Sequence, residues 1–314
     1  MDAQARRFDP KVPFTPQQAR AAGIGRDVLL GPDFHRLLHG LYVSADVPIT
    51  LDLRARALLD LLDDDAHLSH HTAAGLWGLW VPDSPDLHLC RARGRRHSRP
   101  DVVTHTCRQH GDAREPGHIT TRGGLQVSNP LRCFLELAPE LSLVDLVVLG
   151  DSLVARRRAS QQQLLERVHA ESGPGIVRAR RAAALVRAGV DSAMETRLRL
   201  LLVLAGLPEP QVNVVLRDES GEVRRRLDLA YPELCLAVEY DGRGHLASDE
   251  VWDADLRRRD ELTSGGWRSV VVVSRGIYRE PHVTVERVER ALRDAGWTGT
   301  RRPARDWTRH FPSR

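Results

Sequence analysis

The stretch RRRLDLAYPELCLAVEYDGRGH, Arg224–His245, places acidic residues where apolar strand patterns would exclude them. Asp228 interrupts one strand pattern, and Glu239, Asp241 and His245 close the next. Leu234, Leu236, Val238 and Tyr240 alternate with Cys235, Ala237, Glu239 and Asp241, so a period of two sets both carboxylates on one strand face. Carboxylates desolvated side by side cost several kcal/mol unless a cation or proton intervenes. A divalent metal is the simplest such cation.

Upstream, Asp191 or Ser192 is placed to cap a helix through METRLRLLLVLAG, which Gly206 and Pro208 stop. Glu195 falls in its first turn. Leu198, Leu201, Leu202 and Ala205 share an apolar face, and Glu195 and Arg199 share an adjacent one. The pattern predicts strands at Gln211–Leu216, Val223–Ala230 and Leu234–Asp241, joined by the ESG and YPE turns. A helix over Asp249–Thr263, a buried strand in WRSVVVVS and a helix over Pro281–Ala295 complete the order. This is an α/β domain with a mixed sheet flanked by helices. If the YPE turn joins antiparallel neighbours, Asp228 lies nearly across from the Glu239 end, and Glu195 can approach from one side. Three carboxylates from three elements then form an oxygen-rich pocket suited to Mg2+ or Mn2+ rather than zinc.

The front of the chain reads differently. Thr15 and Gln18 stand at capping-box spacing before a helix that closes at Gly23. A short helix fits Arg26–Leu30, and FHRLLHGLYVS, Phe34–Ser44, turns at Gly40 into an apolar strand. Two short helices and a hairpin over residues 1–50 suggest a winged helix with Arg26 and Arg36 against DNA phosphates; a packing unit without DNA affinity fits as well. Residues 51–190 read as an α+β middle region. Its helices are Leu51–Leu62, a Ser69-started segment HHTAAGLWGLW, and others from Pro130, Leu143, Gln161 and Ile176; its short strands are Leu87–Cys90 and Val102–Cys107. His67, His70 and His71 lie together, but no carboxylate or cysteine nearby completes a ligand set, so capping or surface roles fit them better than metal binding. The basic loop Arg91–Arg99 and the arginine-laced helix after Gly175 are solvated faces or phosphate contacts. The ending 299–314 is a basic tail, either phosphate-binding and mobile or simply disordered.

At 314 residues and 41% apolar content the chain has material for two or three cores. No run approaches the roughly 18 uncharged apolar residues a membrane span needs, and the start lacks an apolar signal segment, so a cytoplasmic location is expected with no membrane partner. Cys90, Cys107, Cys133 and Cys235 form no close pair and no zinc-type spacing, which favours free thiols. A formal charge of +4 permits a nucleic-acid partner without demanding one. Lys11 is the sole lysine, which removes lysine from any catalytic role beyond the N-terminal region.

With these residues in place, the region Asp191–Ala295 resembles the PD-(D/E)xK nuclease superfamily, through the Glu195 helix, the Asp228 strand and Glu239-Tyr240-Asp241, with Asp241 where lysine usually stands. EYDGRGH, followed by Asp255, Arg258, Leu262 and the GGW ending at Trp267, is more closely similar to the branch related to very-short-patch repair endonucleases. FHRLLHGLYV, LSHHTAAGLWGL and GLQVSNPLRCFLELA resemble in outline the antitoxin-like winged-helix proteins called AbiEi. The first resemblance implies a restriction-endonuclease-like fold and Mg2+-dependent cleavage of DNA. It implies that Asp228 and Glu239 hold the ion, with Glu195 assisting, and that His245 replaces lysine in orienting or deprotonating the attacking water. Asp241 becomes a further ligand or the partner of His245, and Arg258 a ligand of the scissile phosphate or a partner of Asp255. The second resemblance and the missing lysine imply a rival: a DNA-binding regulator or antitoxin-like protein on an inactive nuclease scaffold. Oligomeric state and substrate preference are not legible.

Overall fold

The computed structural model describes residues 8–62, 66–91, 99–106, 118–218, 220–242 and 265–312. The protein is a mixed α/β chain with sheets flanked by helices. It divides into two compact units, Met1–Pro139 with His169–Ile176, and Glu140–Val168 with Val177–Arg314.

The first unit opens with α1 (Pro16–Ala21), which Thr15 caps while Gln18 returns the bond: Thr15 N–H donates to Gln18 Oε1 at 2.7 Å. α2 (Arg26–Leu29) and the antiparallel hairpin β1 (Phe34–Leu38) and β2 (Leu41–Ser44) follow. Phe14, Ala19 and Leu29 form their common core, joined by Phe34 and Tyr42. Helices-then-hairpin is the order the sequence predicts for this segment. Beyond α3 (Leu51–Leu59) come β3 (His67–Leu68), α4 (His70–Leu76), β4 (Leu87–Arg91), β5 (Val102–Thr106), β6 (Ile119–Arg122), β7 (Leu125–Ser128) and α5 (Pro130–Leu137). Their sheet runs β5-β4-β3-β7-β6, with β4–β5 and β3–β7 parallel. β3 and the β6–β7 hairpin are absent from the sequence reading, because two- and four-residue strands carry too little periodicity.

Cys90 in β4 is disulfide-bonded, which corrects the expectation of four free thiols; Cys133 and Cys235 are free. Sequence spacing does not report which strands come within bonding reach. Cys107 lies outside the described residues. Among the described residues, no helix is long and apolar enough to cross a membrane.

The second unit takes in α6 (Leu143–Ala155) and α8 (Ile176–Leu185), on either side of α7 (Gln161–Ala170), and then α9 (Ala193–Leu204). Residues 140–168 therefore belong with the C-terminal region rather than with the middle region expected to end at 190. α6 and α9 share a buried pair of charges. Asp151 of α6 and Arg199 of α9 meet at 3.0 Å with both side chains fully buried. Asp151 also accepts the Thr196 hydroxyl at 2.8 Å and the Arg187 N–H at 2.8 Å, and Arg199 donates to the Leu185 carbonyl at 2.9 Å. Burial pushes the Asp151 carboxyl up, against the pull of Arg199 and these donors.

After α9 come β8 (Gln211–Arg217), β9 (Val223–Tyr231), a 3-10 turn at Pro232–Leu234, β10 (Leu236–Asp241) and β11 (Arg268–Val273). The sheet order is β11-β10-β9-β8, with β10 parallel to β11 and antiparallel to β9. β10 starts at Leu236 rather than Leu234, because Cys235 takes the left-handed conformation, φ 46°, that ends the turn. Helices at Ser274–Tyr278 and Pro281–Asp294 follow; the helix expected over 249–263 lies outside the described residues.

The tail is not free. Arg302 N–H donates to the Gly206 carbonyl at 3.2 Å and Ala304 N–H to the Leu204 carbonyl at 2.9 Å. Asp306 accepts two bonds from Arg181, at 2.6 and 2.9 Å, and Trp307 and Phe311 are buried. Gly206 permits this, since at φ 85° an added Cβ would sit 2.2 Å from the Arg302 carbonyl carbon. The mobile tail expected from composition is thereby corrected: its two aromatic residues supply apolar anchors that the arginine count obscures.

Removing one member of the buried pair leaves the other charge unpaired, so Asp151→Ala and Arg199→Leu are each expected to cost about 3–5 kcal/mol. The double replacement Asp151→Leu with Arg199→Met should recover part of that loss in denaturant unfolding, as apolar substitutes for buried ion pairs do.

Candidate active site

β9 and β10 pair through Leu236↔Tyr231, Ala237↔Ala230 and Val238↔Leu229. Glu239 and Asp228 are next in that register, and there the main-chain ladder gives way to a side chain. Asp228 Oδ2 accepts the Tyr240 N–H at 2.9 Å. β10 meanwhile stays paired with β11 as far as Asp241↔Val273. The chain on the other side of Asp228 is irregular too. β8 and β9 pair at Val212↔Leu229 and Val214↔Leu227, skipping Asn213 and Asp228, and Asn213 is left-handed with φ 50°. Leu227 and Ala230 pack in one cluster with Ala237 although three residues apart, which a regular strand forbids. The break in period therefore sits at Asp228.

Asn213 uses its conformation to reach α9. Its Nδ2 donates to the Gly189 carbonyl at 2.6 Å and to Glu195 Oε2 at 2.9 Å, while its Oδ1 is buried and accepts no hydrogen bond. Glu195, 8% exposed in the first turn of α9, also accepts the Asp191 N–H at 3.0 Å. Glu239 places both oxygens 2.9 Å from Arg225 Nη2. Asp191 pairs with Arg226.

Asp228 stands between these groups and records their charge. Burial pushes its carboxyl up to about 6; the Tyr240 N–H opposes this, the charges of Glu195 and then Glu239 add to it, and Arg226 offsets a part. The charges of Glu195 and Glu239 thus reach Asp228 from α9 and β10, the elements the sequence reading assigned to one pocket. Among the described residues, however, the three do not bring one oxygen each within 4.8 Å of one another. Each is held by a protein donor instead. The carboxylates and the unsatisfied Asn213 oxygen are hard donors of the kind Mg2+ or Mn2+ takes, so their chemistry suits such an ion although they are not gathered around one point, and Arg225 is the competing cation.

Asp241 ends β10 opposite Val273, half-buried. Gly242 follows it, and a Cβ there would stand 3.1 Å from the Tyr240 ring. His245, Arg258 and Asp255 lie outside the described residues. Arg26 opens α2 and is exposed; Arg36 is exposed on β1, 2.8 Å from His39 Nδ1. Both belong to the first unit. Arg225 and Asn213 are the site residues that sequence reasoning passed over. The RRR run before Asp228 is visible as basic, but which arginine turns toward Glu239 depends on the break in period, and nothing in the sequence marks Asn213 as left-handed.

No family model matches this chain. It is 26% identical over 265 residues, 84% of its own length and 94% of theirs, to uncharacterized proteins from two strains of Mycobacterium tuberculosis, CDC 1551 / Oshkosh and H37Rv.

Because Asp228 holds its proton more tightly when folded, its contribution favours folding below the ordinary value of 3.8 and is lost as pH rises through about 6. Asp228→Asn keeps an acceptor for Tyr240 without the charge. We expect it to stabilise the protein by roughly 1–2 kcal/mol at about pH 8, after screening at this half-exposed position, and by nothing measurable near about pH 4. Chemical unfolding at the two pH values checks both halves.

Proposed function

We propose that the second unit is a metal-dependent endonuclease that hydrolyses phosphodiester bonds in DNA, on a restriction-endonuclease-like sheet of the PD-(D/E)xK kind. The observation that carries this reading is the Asp228 carboxyl pushed up to about 6 by burial, with the charges of Glu195 and Glu239 adding to it. Acids from three elements whose charges act on one half-buried carboxyl, at a break in strand pairing, favour a charge-neutralising ligand over a packing role. Asp228 and Glu239 would hold Mg2+ or Mn2+ directly, with Glu195, Asn213 Oδ1 and Asp241 beside them. The ion would supply charge stabilisation at phosphate and lower the pKa of its bound water.

The protein groups have separate tasks in this reading. Above about pH 6 Asp228 is ionised and available as a ligand. Arg225, once released from Glu239, presents a guanidinium to a phosphate oxygen, for which its planar fork is suited. His245 is assigned to orienting or deprotonating the water, and Arg258 to the scissile phosphate. Arg26 and Arg36 of the first unit are assigned to backbone phosphates outside the cleavage site.

The alternative is a DNA-binding regulator or antitoxin-like protein whose nuclease scaffold is inactive. It is favoured by Arg225, which already neutralises both oxygens of Glu239.

Purified protein is incubated with DNA and Mg2+ beside Glu239→Gln. The nuclease reading expects cleavage that falls at least about a hundredfold in the variant. Equal cleavage by both removes the site assignment. Salt-sensitive binding without cleavage, weakened when Arg26 and Arg36 are neutralised, supports the regulator.

A further inference from the structure

We infer that Arg225 is a built-in cation that keeps the candidate site closed to a metal until a DNA phosphate draws it off Glu239; this rests on the nuclease reading. Among the described residues, Glu195, Asp228 and Glu239 do not bring one oxygen each within 4.8 Å of one another. The place a dication would take beside Glu239 already holds a charge. Arg225 Nη2 lies 2.9 Å from both Glu239 oxygens, with the two side chains 19% and 17% exposed. The structure thus shows the latched arrangement, and a spread of the acids is what such a latch produces.

The reach of Arg225 follows from the strand register. The β9–β10 ladder ends at Leu229↔Val238, whereas β9 is paired beyond that point with β8 alone, through Leu227↔Val214 and Arg225↔Leu216. The two strands open a fork, with Asp228 at its base and Arg225 and Glu239 on its arms. Arg225 shares a strand face with Leu227, and Glu239 shares one with Ala237; Leu227 and Ala237 belong to one apolar cluster, with Leu216 and Trp267 packed against it. An ion pair above an apolar floor is screened less than a surface pair, and it holds Glu239 at a cost in desolvation. Arg224 and Arg226 alternate to the other face and are exposed, and Arg226 pairs with Asp191. Of the three consecutive arginines, the middle one meets Glu239.

The contact can be exchanged for a better one. Arg225 touches Glu239 through Nη2 alone, so the pair lacks the two-nitrogen fork that makes arginine–carboxylate pairs strongest. A phosphodiester offers two non-bridging oxygens that match that fork. A dication and a guanidinium cannot share Glu239, because like charges a few ångströms apart repel strongly in a half-buried place. Withdrawal of Arg225 by phosphate frees Glu239 for the ion, and the ion in turn favours the withdrawn arginine. Metal and DNA are coupled through one side chain, and linkage makes that coupling equal in both directions. Without DNA the site stays idle.

The test measures Mn2+ uptake by the full chain from the EPR signal of free Mn2+, with and without a short phosphorothioate DNA duplex, above the uptake by that DNA alone. Wild type is expected to bind Mn2+ about tenfold more tightly when DNA is present, and DNA about tenfold more tightly when Mn2+ is present. Arg225→Gln should bind Mn2+ about tenfold more tightly than wild type without DNA, and DNA should then add less than about twofold. Arg225→Lys, which keeps the charge but not the planar fork, should stay weak without DNA and gain little from it. Equal Mn2+ affinity in wild type and Arg225→Gln without DNA overturns the latch while the nuclease reading stands. A wild-type Mn2+ affinity that DNA leaves unchanged overturns the latch without needing any variant to fold. No Mn2+ uptake by either protein, with or without DNA, overturns both.

Discussion

The buried Asp151–Arg199 pair is the constraint on which the second unit depends. Two charges with no exposed surface need partners for the lone pairs and protons left over, and Thr196, the Arg187 main chain, the Leu185 carbonyl and Glu209 supply most of them, with Arg199 Nε left without one. These bonds tie α9 to α6. Glu195 sits one helical turn before Arg199 on α9, so the electrostatics of the core also sets where the first acid of the candidate site is held.

At the sheet, too, buried polarity is only partly satisfied. Asp228 gives its carboxylate to the Tyr240 N–H and Glu239 takes Arg225, yet the Asp228 carboxyl remains raised and the Asn213 oxygen remains without a donor. A core built only for stability would fill such a place with apolar side chains, as Leu227, Ala230 and Ala237 do next to it. The residual frustration, together with two interruptions of strand regularity at Asn213 and Asp228, is the physical content of the proposed site.

The two units answer buried polarity in opposite ways. In the second, like charges meet and are offset by arginines and main-chain donors. In the first, four imidazoles lie close together, and desolvation pushes the pKa of each of them down.

Much of the second unit was legible in advance. The order of α9, β8, β9, β10 and β11 and the antiparallel return at the YPE turn follow from period, caps and turn residues. The front helices and hairpin follow in the same way. What was not legible depends on contacts between residues distant in sequence. Arg199 reads as a helix-face arginine until α6 brings Asp151 to it, and His70 and His71 read as helix-start residues until β4 and β5 bring His88 and His105. The docking of Trp307 and Phe311 was hidden by the arginines around them, and the Cys90 disulfide by a spacing that says nothing of strand adjacency. By itself the sequence determined local conformation, because φ/ψ preference and side-chain period act over a few residues. Only the tertiary structure decided which charges are neutralised, by whom, and which rings converge, because desolvation and Coulomb energy depend on distance in space rather than along the chain.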